Sequence, residues 1–69
     1  MNNNLNRYLG RIVRLNKLAY QEIKERALRK GVALENSFLV ASVNRKLKKI
    51  ICYGANFRIV VSFSDVILV

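Results

Sequence analysis

The chain contains no histidine, no proline and no tryptophan, and a single cysteine. Without histidine, an ordinary zinc site and a His-centred acid–base pair are excluded. One cysteine excludes an internal disulfide. A domain of 69 residues buries only roughly 60% of the surface of its unfolded chain, so its core is thin. With neither disulfide nor metal to staple it, stability has to come from apolar packing, alone or completed by a second copy. Carboxylates are scarce as well: Glu22, Glu25, Glu35 and Asp65 face thirteen Lys and Arg, for a net charge of +9. The hydrophobic content of 52% is too high for a disordered basic tail.

Long apolar runs are also missing. The last third is broken by Gly54, Asn56, Arg58, Ser62, Ser64 and Asp65, so no stretch reaches the roughly 20 apolar residues of a spanning helix. The start, Met1-Asn2-Asn3-Asn4-Leu5-Asn6-Arg7, lacks the apolar segment of a secretory signal. Residues 1–8 therefore read as a flexible polar tail and 9–69 as one small domain. The expectation is a soluble, cytoplasmic protein with no membrane partner.

What is present is unevenly placed. Residues 1–49 hold twelve of the cations and three Glu, whereas 50–69 hold only Arg58 and Asp65 among fourteen apolar residues. The front supplies charge and the back supplies core. Such a charge density points to a polyanionic partner such as RNA, DNA or an anionic surface, and no motif says which.

Periodicity organises the chain. Arg11–Leu15 reads as a short strand after Gly10. A helix follows, with Asn16 as N-cap and Gly31 as the left-handed residue beyond its end. Leu15 and Tyr20 have the spacing of a hydrophobic staple, and Ala19, Tyr20, Ile23 and Ala27 share one face. Glu22 with Arg26 and Glu25 with Arg29 are i,i+4 pairs, worth about 0.3 kcal/mol each. The period then changes to two. Strands are expected at Phe38–Val43, Leu47–Tyr53, Phe57–Phe63 and Val66–Val69, with turns at Asn44–Lys46, Gly54–Asn56 and Ser64–Asp65. Phe57, Ile59, Val61 and Phe63 face the core; Arg58, Val60 and Ser62 face away.

Gly10-Arg11-Ile12-Val13-Arg14-Leu15 resembles the opening strand of SH3-like small barrels. Phe57 to Val69 is similar to their close, a strand, a 3₁₀-like turn holding an acidic residue, and a last short strand. The resemblance implies a mainly β fold with one helix: a five-stranded SH3-like small barrel with the helix inserted between the first and second strands. The spaced glycines of the ribosomal KOW motif and the aromatic-rich surface of signalling SH3 domains are both lacking. An Sm-like barrel and an open α+β sheet covered by the helix are the competing arrangements.

Few residues invite catalysis. Glu22 and Glu25 read as solubilising partners of arginines, Glu35 and Asp65 as turn or cap residues, and no serine is singled out as a nucleophile. Plasmid-borne dihydrofolate reductases built on such barrels use a Val-Gln-Ile-Tyr strand, whereas Arg58-Ile59-Val60-Val61 here has neither Gln nor Tyr. Cys52, within Ile50-Ile51-Cys52-Tyr53, reads as a small core residue. No catalytic residue, cofactor, metal or small-molecule substrate is expected.

Candidate nucleic-acid contacts centre on Arg45, Lys46, Lys48 and Lys49 at a hairpin tip, where phosphates can be reached. Lysines beside Ile50-Ile51 also serve as gatekeepers against edge pairing. Lys17, Lys24 and Arg14 are secondary candidates, and Tyr53 is a candidate for base stacking. The competing expectation is an assembly subunit, a homo-oligomer formed through the C-terminal strand edge, with the positive charge serving solubility.

Overall fold

The computed structural model describes residues 5–54 and 57–69. It is mainly β with one helix. A turn of 3₁₀ helix, η1 (Leu5–Tyr8), leads to β1 (Ile12–Leu15) and α1 (Lys17–Arg29). Strands β2 (Phe38–Asn44), β3 (Lys49–Gly54) and β4 (Phe57–Ser62) follow, then a second 3₁₀ turn, η2 (Phe63–Asp65), and β5 (Val66–Leu68). All pairings are antiparallel, in the order β4-β3-β2-β1-β5.

The expected N-terminal tail falls partly on residues 1–4, outside the described residues. Leu5–Tyr8 form η1, and the half-buried Tyr8 packs against the core. The expected turn at Gly54–Asn56 likewise falls mostly on Ala55 and Asn56, outside the described residues.

Helix α1 begins and ends for local reasons. Asn16 has extended backbone angles, and its Oδ1 accepts from Ala19 N–H at 2.9 Å, satisfying one of the orphan donors of the first turn. At the other end Val32 N–H donates to Ala27 O at 2.8 Å and Gly31 N–H to Leu28 O at 3.0 Å. That is a Schellman closure, and Gly31 supplies the positive φ it needs, +78°. Ile23 and Ala27 are buried, with Ala19 and Tyr20 packed at the margin. The spacing of the face follows 3.6 residues per turn.

The strands alternate as a half-buried sheet demands. Val13 and Leu15, Ile50 and Cys52, and Phe57, Ile59 and Val61 point inward. Of the two residues able to face the core at the start of β1, Val13 does so and Ile12 is exposed. Strand β2 departs from strict alternation. Its register to β3 shifts between Val40 and Ser42, leaving Ala41 as an extra residue, so Val40 and Val43 both turn toward the core side. A bulge of this kind bends the strand and increases its twist.

In place of the expected closed barrel, the ladders form an open sheet. Strands β4 and β5 are its two edges. The three-residue β5 spends one edge on β1, where Val13, Arg14 and Leu15 pair with Leu68, Ile67 and Val66.

Gly54, expected as a turn residue tolerant of positive φ, is instead the last residue of β3 and is glycine for space. A Cβ there would lie 2.8 Å from Phe38 Cδ2 and 3.0 Å from Ser37 O.

The crossing from α1 to β2 is fixed by polar side chains. Asn36 Oδ1 accepts from Leu15 N–H at 2.7 Å, and Asn36 Nδ2 donates to Leu15 O at 2.9 Å. Its amide thus pairs with β1 as a strand residue would. Tyr20 Oη donates to Leu34 O at 2.6 Å, tying the same loop to the helix. Replacing Asn36 by Ala strips both backbone groups of Leu15 of their partner. The expected loss is about 2 kcal/mol, with a fall in Tm on the order of 10 °C for a chain of this size. Thermal and urea unfolding monitored by circular dichroism check this. Asn36→Asp, which cannot donate to Leu15 O, is expected to be destabilised as well.

Candidate nucleic-acid interface

The hairpin between β2 and β3 gathers the densest charge. Arg45, Lys46, Leu47 and Lys48 form its turn, and Lys49 opens β3 opposite Asn44 and Ser62. Alternation alone starts the return strand at Leu47, but the turn takes up Leu47 and Lys48 too. Asn44 is the cause: its Oδ1 accepts from Leu47 N–H at 3.0 Å and rounds the turn. Lys48 then adopts φ +56°, the left-handed region disfavoured for residues with a Cβ. Its carbonyl accepts from Phe63 N–H at 3.1 Å, which anchors the turn to η2. All five residues from Arg45 to Lys49 are exposed, Leu47 among them at 65%.

Turn η2 connects this tip to the start of the helix. Ser62 caps it, accepting from Ser64 N–H at 3.4 Å, and Asp65 closes it. Asp65 O accepts from Asn16 N–H at 2.9 Å, while Asp65 Oδ1 accepts from Asn16 Nδ2 at 3.3 Å. Lys17 is the next residue, and Arg14 is exposed on β1 opposite Ile67. The backbone of Lys48 and that of Asn16 are therefore bonded to the two ends of one three-residue turn, roughly 6 Å long at 2 Å per residue. Backbone bonds through η2 thus link the hairpin tip to the segment that carries Arg14 and Lys17.

Lys24 and Tyr53 stand apart from it. Lys24 is seven residues along α1 from Lys17, roughly 10 Å at the helical rise, and its Nζ lies 5.8 Å from the Tyr20 ring centroid. Tyr53 ends the outward row of β3 that begins at Lys49, roughly 13 Å away at the strand rise. Two other cations also lie over rings: Arg7 over Tyr8 and Lys30 over Phe57, each at 5.8 Å. The i,i+4 partners Glu22, Glu25, Arg26 and Arg29 are all exposed, and no ion pair joins them among the described residues.

Arg58 is not among the contact residues expected from the sequence, because it lies in the apolar last third. In β4 it faces outward and pairs directly with Tyr53. The signal that could have found it is the period-2 pattern of β4 itself, which turns Arg58 away from the core.

Among the described residues no three His, Cys, Asp or Glu side chains cluster, and no helix is long and apolar enough to cross a membrane. Cys52 is fully buried on the core face of β3, and burial pushes its thiol from 9.0 up to about 11. No family model, curated protein or solved structure matches the chain.

Burial of Cys52 has two measurable consequences. The folded protein should resist a disulfide-exchange reagent at pH 8 and react readily once unfolded in urea, because the thiolate is the nucleophile. The unfolded thiol ionises first, so stability from this group is full below pH 9.0 and declines as pH rises toward about 11. Rapid labelling of the folded chain at pH 8 would contradict the buried placement.

Proposed function

We propose that the protein is a non-catalytic, cytoplasmic nucleic-acid-associated module that contacts phosphates through Arg45, Lys46, Lys48 and Lys49, with Arg14 and Lys17 in support. RNA or a ribosomal surface is favoured over DNA. The observation that carries the proposal is the basic hairpin tip, held in shape by Asn44 and by Phe63 N–H, and tied through η2 to a second basic segment. A preset turn presents its cations without first having to be ordered. We also read the frame as a variant of the SH3-like small barrel. The central position of β1 between β2 and β5, and the 3₁₀ turn before β5, support that reading.

Fluorescence anisotropy with labelled RNA and duplex DNA tests the contact site. Binding should be steeply salt-dependent. Arg45→Ala with Lys46→Ala should weaken it and flatten the slope by close to two, about 0.9 for each duplex phosphate no longer neutralised. No binding at low salt would refute the proposal.

A second reading is favoured by the open sheet. Among the described residues strand β5 pairs only with β1, Val69 beyond it is exposed, and Val66, Ile67, Leu68 and Val69 carry no charged side chain. Such an edge is a template for another strand, which fits an assembly subunit whose charge serves solubility. Size-exclusion chromatography with light scattering should then give a dimer or larger; a strict monomer at high concentration removes this reading.

A further inference from the structure

The sheet has an outer face, turned away from the core, that the hairpin tip does not account for. Register places Arg58, Tyr53, Leu39 and Ile12 side by side across four strands. Ile51 and Val60 pair in the next row, and Lys49 opposite Ser62 closes the face at the tip. Ile12, Leu39, Tyr53, Val60 and Ile67 are 41–49% exposed, far more than the strand residues of the core face. Monomeric proteins rarely leave such contiguous apolar surface without a partner.

The charges on this face select the partner. Its cations are Arg14, Lys49 and Arg58, and no described outward position of the five strands carries a carboxylate. The acidic residues lie on α1, before β2 and in η2. A second copy laid face to face would set these cations against their own kind, with nothing to compensate them. A polyanion carrying flat apolar groups meets both features at once.

We propose that the outer face of the sheet is a platform for single-stranded nucleic acid, on which a base stacks on Tyr53 while Arg58 holds the adjoining phosphate. Directly opposed strand residues have Cβ atoms roughly 5 Å apart, so ring and guanidinium sit side by side as a stacking surface with a cation at its margin. Leu39 and Ile51 border the ring and cover the base edges. From Tyr53 the nucleic-acid strand runs along β3 toward Lys49 and the hairpin tip. Stacking suits single strands because unpaired bases expose their faces, and it tolerates any base. A duplex buries those faces and offers only phosphates, for which the tip suffices. The platform rests on the reading of the partner as nucleic acid, and it specifies which nucleic acid and by which contact.

The test compares a labelled uridine-rich single strand of RNA with a labelled RNA duplex, at physiological salt. Tyr53→Leu keeps the face apolar but removes the ring; Tyr53→Phe keeps the ring. Tyr53→Leu should weaken single-strand binding by roughly 5- to 150-fold, the range one stacked base supplies, and leave duplex binding unchanged. Tyr53→Phe should bind both as the parent does. Tyrosine fluorescence should be quenched by the single strand in the parent and much less in Tyr53→Leu, and circular dichroism confirms that each variant is folded.

Duplex binding with single-strand binding indifferent to Tyr53→Leu would overturn the platform and leave the hairpin-tip contact standing. Absence of all binding by the parent would overturn both. A dimer formed without nucleic acid and abolished in Tyr53→Leu would assign the face to a second copy and overturn the platform.

Discussion

The structure turns on two consecutive residues, Leu15 and Asn16, held from both sides. Asn36 clamps the backbone of Leu15 through both ends of its amide, and Asp65 takes Asn16 through its backbone and its side chain. Asn16 at the same time caps α1. Three stretches far apart in sequence therefore meet at one point: the junction of β1 and the helix, the loop before β2, and the turn before β5. Closing loops of this length costs conformational entropy, and these bonds offset part of it with groups that would otherwise be left unpaired. Leu15 itself lies in the core, so the polar clamp also sets where apolar packing begins.

From that point the molecule separates core from charge by geometry. Alternation along β3 and β4 turns Ile50, Cys52, Phe57, Ile59 and Val61 inward and leaves Lys49, Tyr53 and Arg58 outside. The same alternation that builds the core therefore lines up the candidate contact residues. Turn η2 does double duty in this scheme. Its start receives the hairpin tip through Lys48, and its end receives the helix cap through Asp65.

Much of this is legible in the residues. Asn16 and Gly31 bracket the helix because capping and left-handed termination are local requirements, and both roles are observed. The inward set of β4 follows from simple alternation. Cys52 is legible as a core residue because it stands in an apolar run with no partner to activate it. Other features depend on contacts across the chain. Ala41 is extra only in relation to β3, so the bulge has no signature in β2 alone. Gly54 is needed because Phe38 packs over it, sixteen positions away. Lys48 leaves the strand because Asn44 captures Leu47 N–H, a competition that runs of alternating residues do not reveal.

The candidate site divides in the same way. Composition places the charge and identifies Arg45 to Lys49 as its densest run, since electrostatic density is a sum over residues and needs no fold. Which cations share a surface is a matter of register. Alternation along β4 already turns Arg58 outward, but its place beside Tyr53 appears only when β3 and β4 are paired. Arg14 and Lys17 lie on a segment that backbone bonds link to the hairpin tip through η2. By itself the sequence determined the helix with its caps, the approximate strands, the inward alternation of Phe57, Ile59 and Val61 and the excess of positive charge, because caps and alternation act within a few residues. Only the tertiary structure decided that the sheet stays open, that Asn36 and Asp65 fasten it, and which side chains meet on its outer face, because those depend on pairings between segments distant along the chain.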